Sequence, residues 1–187
     1  VVVDAAGKIN SQWQDSSVHR SHGRMSFKGQ KMSSRLGGVP LVEEVLGAVV
    51  EEIKEKNPDI NEESARMIGI SAIKFAILRT QAGKDINFDP DTSLSFEGDS
   101  GPYLQYTAVR AGSLLEKGLG IVPSIENPVA GTETLERLIA RFLEVISRAQ
   151  SEWAPHYIVT YLSELAQEFN SWYGQGKIID EDTLATS

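Results

Sequence analysis

Apolar residues recur every three to four positions over most of the chain, a spacing typical of helices that pack on one side. The clearest such segment opens at Pro40 and carries glutamates opposite its apolar face. It ends at Asn57-Pro58, because a residue that precedes proline disfavours helical backbone. A second helix is predicted to begin near Asp59 or Asn61, both favourable N-caps, and to continue to about Thr80.

Three further helices are predicted in the second half of the chain. The first follows Asp99 and has Pro102 in its first turn, where proline is favoured. Its predicted buried stripe consists of Leu104, Ala108, Ala111 and Leu115. After a loop from Gly118 to Gly131, the next helix carries an apolar face made by Leu135, Leu138, Ile139, Phe142 and Ile146. The last begins at Pro155 and turns inward Ile158, Tyr161, Leu162, Leu165, Phe169 and Trp172.

Three segments depart from the helical spacing. Val1–Asp4 is predicted to be a buried strand, and the alternating segment Asp85–Pro90 to be extended. The stretch from Gly23 to Gly38 is rich in glycine, serine and cations, which predicts a flexible loop. The chain is therefore predicted to be mainly α, with its sharpest boundary at Gly98–Gly101.

Composition narrows the possible chemistry. The chain of 187 residues has a net charge of -8, so nucleic acid would have to bind through a local basic patch. It contains no cysteine, which excludes disulfides, thiolate metal sites and a cysteine nucleophile. No apolar run approaches the ~20 residues of a membrane span. His19 and His22 have no evident third ligand nearby, so no metal site is predicted.

The strongest chemical candidate is the loop Lys31–Arg35. Lys28, Lys31 and Arg35 place three cations close together on a backbone loosened by glycine. Such cations can neutralise the charge that develops on a departing polyphosphate, and a mobile loop can close over its ligand. A solvated basic loop is the alternative, and the spacing taken alone favours it.

Four blocks carry a resemblance to a known family. The run from His22 to Arg35 resembles the Lys-Met-Ser-Lys-Ser signature of class I aminoacyl-tRNA synthetases. Leu94–Arg110 resembles the stretch that opens the anticodon-binding domain of arginyl-tRNA synthetases. Ile73–Leu78 with Ile86–Asp89, and then Leu162–Tyr173, resemble further segments of that family in the same order. The chain is thus similar to an internal-to-C-terminal piece of an arginyl-tRNA synthetase.

The resemblance implies an arginine–tRNA ligase, which uses ATP with Mg²⁺ to activate arginine and then transfers it to arginine tRNA. Lys31 matches the first lysine of the signature and is expected to be catalytic. Ser34 replaces the second lysine, whose work Lys28 or Arg35 would have to do. ATP binding is expected of Lys28, Lys31, Met32, Ser33, Ser34 and Arg35.

Contact with tRNA is expected of Tyr103, Gln105, Tyr106, Arg110, Asn170 and Tyr173. Exposed aromatic rings can stack on unpaired bases. The alternative is that the rings pack within the bundle. For Gln105 and Arg110 a structural role at the domain junction is equally consistent with the sequence.

The resemblance also implies an organisation in three regions. Residues 1–38 would end a Rossmann-like catalytic domain, of which only a remnant is present. Residues 39–100 would be a helical connecting region that contacts the tRNA stem, and residues 101–187 a truncated anticodon-binding helical bundle. The chain alone is expected to be cytoplasmic and monomeric, to hold no tightly bound cofactor, and to be inactive in aminoacylation. No membrane or DNA partner is expected. The alternatives are a free-standing tRNA-binding module and a protein-interaction domain.

Overall fold

The structure is a computed structural model of the chain. It describes residues 2–31, 41–120, 132–176 and 178. Helices dominate these ranges, which confirms the mainly α class predicted from the sequence. Within these ranges no helix combines the length and the apolar character that a membrane crossing requires.

The first two helices are α1 (Val2–Ile9) and α2 (Ser11–Ser16), which pack on each other and contain no buried residue. Asn10 separates them and caps α2, because its side chain accepts a hydrogen bond from the Gln12 backbone N–H at 3.0 Å. The strand predicted for residues 1–4 is therefore wrong over residues 2–4, which are helical. A run of valines has high strand propensity, but that preference needs neighbouring strands to pack against, and the described sheet does not include this segment.

A small sheet of three strands lies at one edge of the core. Strands β1 (Met25–Phe27) and β2 (Gln30–Lys31) form an antiparallel hairpin, and β3 (Ile86–Phe88) pairs in parallel with β1 on its other side. The predicted loop from Gly23 to Gly38 is therefore wrong for residues 25–31. The hairpin forms because Lys28 and Gly29, with φ of 47° and 76°, make the two-residue turn that connects Phe27 to its partner Gln30.

The main core lies between α3 (Val42–Lys56), α4 (Glu62–Leu78) and β3. Both helices occupy the predicted segments, and Asn61 caps α4 by accepting from the Ser64 backbone N–H at 2.8 Å. Gly69 allows the two helices to approach closely, because a Cβ there would lie 3.2 Å from the Leu46 side chain. The most buried residues of this core are Val49, Val50, Ile53, Ala65, Ala72 and Phe88.

After the short helix α5 (Pro90–Ser93), the long helix α6 (Gly101–Lys117) begins where the sequence predicts it. Its N-terminus lies directly against α4, since a Cβ at Gly101 would lie only 2.5 Å from the Ser71 carbonyl oxygen. The predicted buried stripe of α6 is wrong at Ala108 and Leu115, which are exposed, whereas Leu104 and Ala111 are half-buried; Thr107 is fully buried instead. The helix buries a partly polar face, because its partner α9 (His156–Tyr173) offers polar groups to it.

The predicted fourth helix is interrupted at Arg141, which separates α7 (Glu133–Ala140) from α8 (Phe142–Ser151). Both pack against α9, but only α8 contains buried residues, which are Val145 and Ala149. Ile139 and Phe142, predicted to be buried, are exposed, because the break changes the direction in which the apolar face points. The last helix, α9, begins next to Pro155 as predicted. It buries Val159, Tyr161 and Ala166.

Candidate functional site

Hydrogen bonds between side chains join α6 to α9. The Tyr103 hydroxyl donates to the Ala166 carbonyl at 3.4 Å, and the Asn170 amide donates to the Thr107 hydroxyl at 2.6 Å. Arg110 Nη1 donates to Asn170 Oδ1 at 2.9 Å. Asn170 thus both donates and accepts across the contact, and its amide also donates to the Ala166 carbonyl at 2.9 Å. This α6–α9 seam places Asn170 at the centre of the contact between the two helices.

The guanidinium of Arg110 lies against the rings of two tyrosines. Its central carbon is 4.6 Å from the Tyr106 ring centroid and 4.5 Å from the Tyr173 ring centroid. Both distances are within the range of cation–π attraction. Arg110 also donates a hydrogen bond to the Tyr106 hydroxyl, and the Tyr106 residue is 41% exposed. The arrangement presents an ordered aromatic ring and a delocalised cation at the surface.

The α6–α9 seam brings together five of the six residues predicted to contact tRNA: Tyr103, Tyr106, Arg110, Asn170 and Tyr173. The sixth, Gln105, has a buried Oε1 that accepts no hydrogen bond from the described part of the chain. The contacts already made within the seam give Arg110 and Asn170 a structural role. Their contact with tRNA remains a prediction.

The hairpin that leads into the candidate ATP-site loop is held by β3 and the residues around it. Lys28 donates its backbone N–H to the Phe88 carbonyl at 2.9 Å. The Asn87 side chain accepts from the Gly29 backbone N–H and from the Ser26 hydroxyl, each at 3.0 Å. Two sequence blocks separated by some sixty residues therefore meet in space. The asparagine fixes both a strand and the turn that follows it.

Of the three cations proposed for ATP binding, Lys28, Lys31 and Arg35, the structure describes the side chain of Lys28. The Lys28 ammonium lies 3.8 Å from a carboxylate oxygen of Glu52 on α3 and is about half exposed. Glu52 also pairs with Lys56 at 3.0 Å, and this hydrogen-bonded carboxylate is the largest cause that raises the pKa of Lys56. Lys31 is described by its backbone, which pairs with Ser26 in the hairpin.

The rest of the candidate ATP-site loop, Met32, Ser33, Ser34 and Arg35, lies outside the described residues. The predicted catalytic role of Lys31 and the ATP contacts of this loop stay predictions. Across the described ranges no group of three histidine or acidic residues is placed to hold a metal ion.

A third cluster closes the corner between α8 and α9. The Tyr157 hydroxyl donates to Glu152 at 2.7 Å, and Arg148 donates both to Glu152 at 2.9 Å and to Tyr157 at 3.0 Å. The hydrogen bond from Tyr157, followed by that from Arg148, lowers the pKa of Glu152. The same bond to Glu152 raises the pKa of Tyr157. The Arg148 and Glu152 side chains are about half exposed, so the cluster serves as a surface connection between the helices.

Sequence reasoning missed a polar cluster just before α6, formed by Asp99 with Arg79 and Ser163. Asp99 binds Arg79, at the end of α4, and Ser163 on α9, through its two carboxylate oxygens. Glu52 and Asn87 were also missed as supports of the hairpin. All five are polar residues whose partners are distant in sequence, so neither helical spacing nor capping rules indicate them. The available signal was that Asn87, Asp99 and Ser163 lie inside the blocks Ile86–Asp89, Leu94–Arg110 and Leu162–Tyr173.

Comparison with known proteins shows which proteins the chain is similar to. Residues 104–186 match the DALR anticodon binding domain. An arginine–tRNA ligase of Exiguobacterium sp. is 37% identical in an alignment of 186 positions that covers 94% of this chain and 32% of that protein. One from Limosilactobacillus reuteri is 36% identical in an alignment of 188 positions that covers 95% of this chain and 33% of that protein. The chain therefore spans about a third of the length of these curated relatives.

Solved structures agree with the sequence comparison. The Thermus thermophilus arginyl-tRNA synthetase superposes with a TM-score of 0.76 at 32% identity, over 89% of this chain and 29% of that one. A putative arginyl-tRNA synthetase from Campylobacter jejuni, at 17% identity and a TM-score of 0.61, shares the fold. The resemblance seen in the sequence is thus confirmed: the chain is homologous to arginine–tRNA ligases over about a third of their length and carries a DALR anticodon binding domain.

Proposed function

We propose that the chain is the part of an arginine–tRNA ligase that binds the anticodon region of arginine tRNA and supplies a loop of the ATP site. The observation that carries this proposal is the match of residues 104–186 to an anticodon binding domain, in a chain aligned over nine-tenths of its length with arginine–tRNA ligases. The α6–α9 seam supports it, because Tyr106 and Arg110 form a surface on which unpaired bases can stack.

The loop after β2 is proposed to bind the triphosphate of ATP. Residues 28–35 contain three cations and no acidic residue, in a chain whose net charge is -8. That composition suits a polyphosphate, whose negative charge grows as the leaving pyrophosphate departs. The hairpin supports the proposal, because hydrogen bonds to Asn87 and Phe88 fix the position of the turn that precedes Lys31.

In the complete enzyme, the arginine carboxylate would attack the α-phosphorus of ATP, and pyrophosphate would leave. A terminal ribose hydroxyl of the tRNA would then attack the carbonyl of the adenylate, and AMP would leave. Lys31 would stabilise the charge on the departing pyrophosphate, and ATP would arrive with Mg²⁺. The seam of α6 and α9 would contribute by holding the tRNA in position while its far end reacts.

Binding of an arginine tRNA transcript to the chain, measured at several salt concentrations, tests this proposal. The logarithm of the affinity should fall linearly with the logarithm of salt, by about 0.7–0.9 for each phosphate neutralised. This slope is the signature of contacts to the phosphate backbone. Absence of binding at low salt, or an affinity that salt does not change, would refute the proposal and leave the protein-interaction alternative.

A further inference from the structure

One carboxylate connects two halves of the described fold, the half formed by α3, α4 and the sheet and the half formed by α6 to α9. Asp99 Oδ2 lies 2.8 Å from Arg79 Nη2, and the Asp99 carbonyl accepts from Arg79 Nη1 at 3.1 Å. Asp99 Oδ1 accepts from the Ser163 hydroxyl at 2.6 Å. Arg79 ends α4, which packs with α3 and the sheet, whereas Ser163 lies on α9. Three directional hydrogen bonds from two helices therefore meet at a single residue.

Asp99 lies where the chain passes from one half to the other. No helix or strand covers residues 94–100, and Gly98 has a φ of 76°, a conformation that favours glycine. The passage ends at Ser100, whose hydroxyl caps α6 by accepting from the Tyr103 backbone N–H at 3.1 Å. Asp99 thus precedes the first residue that is fixed to α6.

Side-chain packing does not fill the space beside this contact. An open cleft of about 620 Å³ separates the end of α4 from α9, and it is lined by Arg79, Asp99, Tyr103, Ser163 and Gln167 among others. The polar contacts of Asp99 bridge the helices at the edge of this cleft. Because both side chains of the Arg79–Asp99 pair are about half exposed, the pair adds little to the free energy of unfolding. What the contacts of Asp99 with Arg79 and Ser163 can constrain is the direction of α9 relative to α4.

We propose that Asp99 is a positioning residue that fixes the direction of α9 relative to α4, so that one tRNA can contact both halves of the fold at once. This inference rests on the proposed function. A rigid nucleic acid that touches two units binds more tightly when the units are already correctly oriented, because the cost of ordering them is not incurred on binding. The half that contains α3 and α4 would contact the tRNA outside its anticodon loop.

Asp99→Asn is the informative variant. Asparagine retains an acceptor for Ser163 and removes the charge that binds Arg79. The matched control is Asp59→Asn, which removes one charge at an exposed position between α3 and α4. Affinity is measured for two RNAs, a full-length arginine tRNA transcript and its isolated anticodon stem-loop. Thermal unfolding of each variant verifies that the fold is retained.

The positioning role predicts that Asp99→Asn weakens binding of the full-length tRNA by about 5-fold or more and binding of the stem-loop by less than about 2-fold. Asp59→Asn should change neither affinity. Ser163→Ala, which deletes one hydroxyl, should give the same pattern as Asp99→Asn and serves if that variant does not fold.

Other outcomes distinguish failure of the positioning role from failure of the proposed tRNA-binding function. Equal weakening for both RNAs, unchanged affinity for both, or a wild-type chain that binds the stem-loop as tightly as the whole tRNA would overturn the positioning role and leave the proposed function standing. A wild-type chain that binds neither RNA would refute the proposed function and the inference with it.

Discussion

At the scale of single residues, the predicted RNA-contact side chains already hold one another. Arg110 lies between two tyrosine rings and donates to Asn170, which in turn donates to Thr107. A cation held in this way is already ordered before a ligand arrives. It therefore loses little further conformational freedom on binding, so it can contribute to affinity at a low entropic cost. The same contacts stabilise the helix pair, and the structural and RNA-binding interpretations of these residues are therefore compatible.

Asn170→Ala should destabilise the chain by about 1–3 kcal/mol, because Arg110 and Thr107 would each lose a hydrogen-bond partner within a half-buried contact. Urea unfolding measures the change. Ser171→Ala, on the exposed side of the same helix, is the control and should be close to neutral. Equal stability of the two variants would show that the α6–α9 seam does not depend on the asparagine.

Lys31→Ala in the complete enzyme should slow adenylate formation on the order of 100-fold while arginine binding weakens less. The reason is that the lysine is proposed to act on charge that develops only as pyrophosphate departs. Single-turnover adenylate formation and equilibrium arginine binding provide the comparison, with Lys117→Ala as a control at an exposed lysine. Equal losses in rate and binding would contradict a role in the transition state.

At the scale of secondary-structure elements, local chemistry predicts where helices begin better than which face they bury. Asn61 caps its helix as predicted, and α6 begins just after Asp99, because these signals act within a few residues. The buried face of α6 could not be predicted, because it depends on α9, whose polar groups favour Thr107 over Leu115. The strand predicted for residues 1–4 is wrong over residues 2–4 for a similar reason. Valines favour an extended backbone only where a partner strand packs beside them, and the sequence does not show whether such a partner is present.

Gly101→Ala should destabilise the fold, because the added Cβ would lie 2.5 Å from the Ser71 carbonyl oxygen and force α6 away from α4. A loss of about 1–3 kcal/mol is expected, as for other overpacked positions. Gly112→Ala in the same helix is the matched control: a Cβ there meets nothing within 4 Å, so the variant should gain up to about 1 kcal/mol in helix propensity. Destabilisation of equal size in both would argue against the close contact.

At the scale of the whole molecule, the sequence predicted the helical class and the family, because four blocks in the right order are specific. It did not predict how those blocks meet. The contact of Asn87 with the hairpin and the contacts of Asp99 with Arg79 and Ser163 join residues some twenty to sixty-four positions apart. Such pairs leave no periodic signal in one sequence, and they are the contacts that join the hairpin before the candidate ATP-site loop to β3, and α9 to α4.

Binding of arginine tRNA whose anticodon bases have been replaced by abasic nucleotides tests the central claim most directly. The replacement removes the bases but retains every phosphate, so it isolates base recognition from charge attraction. Because stacking on aromatic side chains is worth about 1–3 kcal/mol per base, affinity should fall by about ten-fold or more relative to unmodified tRNA. The same replacement in another loop of the tRNA should have a smaller effect. Equal affinity for the unmodified and the abasic-anticodon tRNA would contradict an anticodon-binding role for this chain.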